Sequence, residues 1–164
     1  MSAIISECGR YRRRLDRDCR PAYEGSLVYA YFGINPSTAC ATIDDPTVKK
    51  WTGFTLRNKG HKFIAGNLSD FRSKDPALLV HDTENNGPEY WKVINQIIAE
   101  ADVLVPCWGR LCKLPVGKRH LPDVLLQALL ASGKPVLHFG KTKCGQPKHP
   151  QMLAYATPLL PWVS

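Results

Sequence analysis

Side chains that could do chemistry follow an apolar, aromatic run at residues 27–32, where the chain turns polar. Asn35 carries a hydrogen-bond donor and an acceptor, so it could orient a water, contact a base edge or close its own Asn-Pro turn. Asp44 or Asp45 could cap a helix or act as a base that stabilises a cation, and Asp45 is our catalytic candidate. With Ser37 in the same turn, these residues predict a site built on hydrogen bonds and a carboxylate.

Similar candidates follow the later apolar runs and lie near the end of the chain. His149 lies in a loop, where it could donate a hydrogen bond to a leaving group, whereas His138 belongs to an apolar run and is expected to be structural. Trp108 could stack on a base, a contact worth about 1–3 kcal/mol, or it could fill the edge of a sheet. His149 completes the predicted catalytic set. The predicted substrate-binding residues are Ser37, Asn67, Arg72, Trp108, Lys143 and Lys148.

Four short apolar runs predict the strands that would position these side chains: residues 27–32, 62–67, 102–107 and 134–139. They alternate with three helical patterns, one beginning at Pro46 and two covering residues 89–101 and 120–132. The alternation predicts an α/β fold in one domain, 1–164, with a mostly parallel four-stranded sheet flanked by helices. Right-handed crossovers would bring the strand-end loops to one edge of that sheet. The candidate residues should therefore meet there.

An additional edge strand is predicted near the N-terminus. Residues 11–17, YRRRLDR, alternate weakly, and on an edge strand their arginines would face solvent. The chain has a formal net charge of +8, and many of its basic residues lie at 10–20 and 141–148. Such a charge favours a polyanionic partner, most simply nucleic acid, although it could also be an ordinary basic surface.

Several classes of protein are excluded or disfavoured by what the sequence lacks. It has no Walker, dinucleotide-binding, nucleophile-elbow or zinc-protease motif, so we expect no cofactor and no metal. The six cysteines show no metal-binding spacing and are expected to be free thiols, with Cys107 in the core. No apolar run reaches the length of a membrane span and no signal-peptide core is visible, so we expect a cytoplasmic protein. The oligomeric state is left open.

Two family resemblances add to this interpretation. The ordered motifs YRRRLDR, GINPSTA, DDPT, NLSDFRSKDP, WG and GQPKHP resemble a family of short bacterial and phage proteins, the domain of unknown function numbered 1643. That resemblance spans nearly the whole chain and implies no activity. More distantly, GINPS is similar to the first motif of the uracil-DNA glycosylase superfamily, and KFIAGNLSDFRSKDP, DVLVPCWG and KHP resemble its later strand ends. This second resemblance implies a parallel four-stranded sheet flanked by helices.

The glycosylase resemblance implies a role for three residues. Asn35 would position the attacking water, His149 would hydrogen-bond the carbonyl of the departing base, and Asn67 would contact the pyrimidine edge. The function expected is therefore an N-glycosidase that removes an altered base from DNA, flipping it out of a duplex first. Two alternatives remain open at this point: a non-catalytic module that binds nucleic acid or a partner, and an enzyme acting on a free nucleoside or nucleotide.

Overall fold

The computed structural model describes residues 1–163, which form strands and helices in mixed order. Short 3-10 turns at Pro76–His81, Leu111–Lys113, Val116–Lys118 and Pro150–Met152 lie between the longer elements. These longer elements are β1 (Ser2–Ile5), β2 (Arg12–Asp18), β3 (Leu27–Gly33), α1 (Pro46–Arg57), β4 (Gly60–Asn67), α2 (Pro88–Glu100), β5 (Val103–Pro106), α3 (Leu121–Ala131), β6 (Leu137–His138) and β7 (Leu160–Pro161).

The main sheet has five strands in the order β1-β2-β4-β3-β5. Strand β3 lies at the centre of its parallel part, with β4 on one side and β5 on the other. Strand β2 pairs antiparallel with β4, and β1 pairs antiparallel with β2. The sequence therefore predicts the α/β class and three parallel strands correctly, and the complete sheet is mixed.

The predicted fourth parallel strand, residues 134–139, is wrong as a full strand. Its only parallel bridge to β5 joins Val136 to Leu104, and the Leu104 N–H donates to the carbonyl of Pro135 at 2.9 Å. Pro135 has no N–H to donate in return, so the ladder cannot extend through it. The following residues, β6, pair antiparallel with β7 in a separate two-stranded sheet.

The strand predicted at residues 11–17 is confirmed as β2, but its predicted position at a solvent-facing edge is wrong. Strand β2 lies inside the sheet because β1, which the sequence pattern does not predict, covers its outer edge. Arg12, Arg14 and Arg17 are buried, and Arg13 is half-buried. Burial of these cations is tolerable where a carboxylate accompanies each of them. The ion pairs are Arg13 with Asp70 and Glu84, Arg14 with Asp16 and Glu100, and Arg17 with Asp44.

Hydrophobic cores lie on both faces of the main sheet, as alternation along buried strands requires. Tyr31 packs with Trp51 and Phe54 of α1 on one face. The neighbouring Phe32 packs on the other face, in the core that α2 and α3 also enter. Cys107 is buried in the first core, as predicted. Within residues 1–163, no helix has the length and apolar character needed to cross a membrane.

Candidate active site

A cavity of about 670 Å³ lies where β3 and β4 end. Its wall comes from one residue of β2, the turn after β3, the start of α1, the end of β4 and the turn after it, and three residues from later in the chain, Lys113, His149 and Gln151. A cavity of this size is in the range that small ligands occupy in proteins. Five of the nine predicted site residues line it: Asn35, Ser37, Asp45, Asn67 and His149.

Asn67 is the last residue of β4, and its side chain is positioned to contact a ligand. The residue is only 5% exposed, yet its side-chain amide makes no hydrogen bond to any other described residue. Its register partner in β3 is Gly33, where an added Cβ would stand 3.0 Å from Asn67 Oδ1. Because residue 33 is a glycine, it leaves space for the side-chain amide of Asn67. Since a buried amide needs partners, Asn67 is the strongest candidate for contacting a ligand.

The two polar atoms of the Asn35 side chain have different roles: Nδ2 holds the backbone, whereas Oδ1 is available to a ligand. Its Nδ2 donates to the carbonyl oxygens of Ser73 at 2.9 Å, and of Phe71 and Pro36 at 3.2 Å each. The amide nitrogen thus ties the β3 turn to the β4 turn, which is the structural role weighed above. Oδ1 accepts no hydrogen bond within residues 1–163, so it is free to accept one from a water or a ligand.

The two adjacent carboxylates have different roles. Asp45 is the N-cap of α1, with its Oδ1 accepting the Val48 N–H at 2.9 Å, and it lines the cavity. Asp44 instead pairs with the buried Arg17 at 2.7 Å. Of the pair left open by the sequence, Asp45 is therefore the one that reaches the cavity. Its negative charge also interacts favourably with the positive, N-terminal end of the α1 dipole.

His149 is held as a neutral hydrogen-bond donor. Burial and, to a smaller extent, the charge of Lys113 lower its pKa to about 4, with Asp45 acting in the opposite direction. Nδ1 accepts the backbone N–H of Gln151 at 3.2 Å, so the proton of the neutral ring lies on Nε2. Gly109, at φ 81°, lies against this residue, and an added Cβ there would stand 3.2 Å from the Cβ of His149.

Arg12 is a cavity residue that the sequence reasoning missed. It is 2% exposed, and Nη1 donates to the carbonyl of Ala39 at 2.7 Å. Its Nε is buried without a partner, and no carboxylate of residues 1–163 lies within ion-pairing distance. Burial lowers its pKa to about 10, with Asp45 offsetting part of that effect. No sequence signal distinguishes Arg12 from the other arginines of the same strand.

A second, larger concavity of about 1130 Å³ adjoins the cavity and shares Lys113 and His149 with it. We call it the basic groove, because its lining contains six lysines and arginines and no aspartate or glutamate. Two predicted substrate-binding residues, Lys143 and Lys148, lie here rather than in the cavity. The cations of the groove are Arg110, Lys113, Arg119, Lys141, Lys143 and Lys148.

The two remaining candidates lie outside both concavities. Trp108 is 1% exposed and its Nε1 donates to Gln146 Oε1 at 2.7 Å, so it fills the sheet edge and cannot stack on a base. Arg72 donates through Nη1 to the carbonyl of Gly9 at 3.1 Å and holds the loop between β1 and β2. His138 is buried and accepts the Gly140 N–H at 2.9 Å, the structural role predicted for it.

Comparisons with known proteins give one match. A family model described as "Protein of unknown function (DUF1643)" matches residues 12–151, a range that includes every residue of the site discussed above. No curated protein and no solved structure matches the chain. Among residues 1–163, no group of three or more His, Cys, Asp or Glu side chains is arranged to hold a metal ion.

Proposed function

The chain belongs to the DUF1643 family, and we propose that it is an N-glycosidase that removes an altered or modified base from nucleic acid, most simply DNA. One observation carries the proposal. The cavity combines the unpartnered amide of Asn67 with the neutral imidazole of His149, and it adjoins a groove whose only charged residues are lysines and arginines. A base could enter the cavity while its strand follows the groove.

The reaction depends more on stabilising the leaving base and orienting a water than on a strong nucleophile. As the bond between the base and C1′ breaks, its electron pair leaves with the base and the sugar becomes cationic. The Nε2–H of His149 would donate to a carbonyl of the departing base, while Asn35 Oδ1 would accept a hydrogen bond from the water that attacks C1′. Asp45 would stabilise the cationic sugar and take the proton that the water releases.

Asn67 would supply recognition of the base. A pyrimidine edge presents a carbonyl beside an N–H or an amino group, and one carboxamide can pair with both. A base that lacks the matching pattern would shield the Asn67 amide from water without replacing its hydrogen bonds, so it would be disfavoured. The volume of about 670 Å³ exceeds that of a base alone and would hold a flipped nucleotide.

The basic groove would hold the strand through its phosphates. Each lysine or arginine that neutralises a phosphate releases a counterion, which gives affinity without sequence preference. This role falls to the groove rather than to Arg13, Arg14 and Arg17 of β2, because these three arginines are already paired with carboxylates of the protein. The finer resemblance of the sheet to uracil-DNA glycosylases belongs to the same proposal.

The test uses labelled oligonucleotides, single- and double-stranded, that carry uracil, mismatches or modified pyrimidines. Alkali cleaves a strand at the position from which a base has been removed. We expect cleavage with the parent protein, a rate about 10²-fold lower with His149→Gln, and no change with the control His81→Gln, since His81 is exposed and lines neither concavity.

The other outcomes would replace the proposal with one of its alternatives. Retention of oligonucleotides without cleavage of any substrate would indicate a binding module. Neither cleavage nor retention would point to a free nucleoside or nucleotide as the substrate. Cleavage that is equally fast in the parent and in His149→Gln would remove His149 from the mechanism.

A further inference from the structure

The arginines of β2 differ in one respect that bears on what the cavity binds. Three of them, Arg13, Arg14 and Arg17, each pair with at least one carboxylate. Arg12 is as buried as Arg17, but it has no carboxylate partner within residues 1–163. It is also the only one of the four that lines the cavity. Of these four arginines, the one without a carboxylate partner is therefore also the one that lines the cavity.

A buried cation without a counter-charge is expensive to maintain. Removing an ion from water costs several kcal/mol in a protein, and a single bond to the carbonyl of Ala39 does not replace a counter-ion. The Nε of Arg12 even lacks a hydrogen-bond partner. An anionic ligand in the cavity would supply the missing charge, as Asp70, Asp16 and Asp44 supply it to the neighbouring arginines.

Other donors in the cavity suit a phosphate group. The first turn of α1 leaves the N–H of Thr47 without an intrahelical partner, and helix N-termini bind phosphates. The hydroxyls of Ser37 and Thr38 line the same cavity, and neither makes a hydrogen bond to another described residue. Lys74 and Lys113 also line the cavity and add positive charge to it.

The cavity also contains two carboxylates, and one oxygen of each accepts a backbone N–H. Asp45 accepts the N–H of Val48 at the start of α1, and Asp75 accepts the N–H of Ala77 at the start of a 3-10 turn, each at 2.9 Å. Neither carboxylate lies within ion-pairing distance of Arg12. Arg12 therefore has no direct counter-charge in the cavity.

We propose that Arg12 and the first turn of α1 bind a phosphate group of the ligand inside the cavity, so that the cavity selects phosphorylated nucleosides over free bases and nucleosides. The inference rests on the proposed function in taking the ligand to be a nucleotide, but it does not require that any glycosidic bond be cleaved. The phosphate could belong to a free nucleotide or to the end of a strand, since both present the same group.

Calorimetric titration tests the proposal directly. The probes are inorganic phosphate, a pyrimidine nucleoside, its 5′-monophosphate, and a short oligonucleotide with and without a 5′-phosphate. We expect the parent protein to bind the monophosphate at least tenfold more tightly than the nucleoside, and Arg12→Met to reduce that ratio to about twofold or less. Tighter binding of the phosphorylated oligonucleotide than of the free nucleotide would assign the phosphate to a strand end.

Two controls make the result specific. Lys92→Met also removes one positive charge, from an exposed position on α2 that lines neither concavity, and should keep the parent ratio. Arg12→Met should unfold at the same temperature as the ligand-free parent or at a higher one, because it removes an unpaired buried charge. Arg12→Gln also removes the charge while keeping a hydrogen-bond donor, and it serves if the methionine variant does not fold.

Equal affinity of the parent for nucleoside and monophosphate would overturn the proposal without any variant. A monophosphate preference that survives in Arg12→Met or Arg12→Gln would overturn the assignment to Arg12. Because binding is measured rather than cleavage, a protein that selects the monophosphate but cleaves no oligonucleotide would support this inference and contradict the N-glycosidase.

Discussion

The backbone N–H of Gln151 donates to Nδ1 of His149 at 3.2 Å, and this bond decides which ring nitrogen is available to a ligand. A main-chain donor supplies it, so the tautomer does not depend on the side chain at position 151. Burial and the nearby Lys113 both disfavour a second proton on the ring. The arrangement keeps His149 a donor over a wide range of pH.

The lowered pKa of His149 predicts how stability depends on pH. Its pKa is about 4 in the folded protein and about 6.5 in the unfolded chain, so between these values the unfolded state binds a proton that the folded state does not. The contribution of His149 to stability is therefore complete above pH 6.5 and falls as the pH drops towards 4, by up to about 1.4 kcal/mol per pH unit.

Urea unfolding at pH 7, 6 and 5 measures this effect. His149→Gln should lose less stability than the parent over that range, since it lacks the titrating ring, and His81→Gln should follow the parent. The difference between parent and His149→Gln isolates His149 from the carboxylates that also titrate. Parallel curves for these two proteins would mean that His149 is protonated as readily when folded as when unfolded.

Gly109 offers a way to disturb His149 without replacing it. At φ 81° an alanine is strained by about 1–2 kcal/mol, and its Cβ would also press on the Cβ of His149 at 3.2 Å. Gly145 has nearly the same φ, 78°, but a Cβ there would meet nothing within 4 Å. Both alanine variants should lose similar stability, whereas only Gly109→Ala should also weaken ligand binding.

Thermal unfolding and ligand titration of the two variants, side by side, separate strain from contact. If Gly145→Ala weakened binding as much as Gly109→Ala, the loss would come from general destabilisation. If Gly109→Ala bound the ligand like the parent, contact with His149 would have no bearing on the site.

The basic groove predicts a salt dependence that individual lysines control. If Lys143 contacts a phosphate, Lys143→Gln should weaken binding of an oligonucleotide at all sequences and reduce the slope of log K against log salt by about 1. Fluorescence anisotropy at several salt concentrations gives both quantities. Lys92→Gln should leave the slope unchanged, and an unchanged slope in Lys143→Gln would place the strand outside the groove.

The parallel strands and three helices could be predicted because their patterns are local. Apolar runs predict β3, β4 and β5. The spacing of Val48, Trp51 and Thr55, with Phe54 alongside, predicts the buried face of α1. The burial of β2 could not be predicted in this way, since it depends on carboxylates far along the chain, such as Glu100 beside Arg14. Residues 134–139 fail as a strand because one proline stops the ladder.

The same limit explains the predicted site. Four of the predicted residues could be found because they lie at the ends of apolar runs or in the loops that follow them, and ligands in α/β proteins bind at the ends of parallel strands. These residues are Asn35, Asp45, Asn67 and His149. Arg12 escapes that rule because it enters the cavity from an antiparallel strand. The sequence is compatible with two roles for Trp108, stacking on a base and filling the sheet edge, and only the packing around the side chain decides between them.

The cavity draws Arg12 from the second strand of the chain and His149 from its last turns, with the parallel strands between them. No short contiguous fragment contains the site, and a partly folded chain that has formed only the parallel strands would not bind. A ligand that needs both residues therefore binds the fully folded state alone and stabilises it by mass action. Ligand binding would then serve as a reporter of complete folding during refolding, when secondary structure is already present.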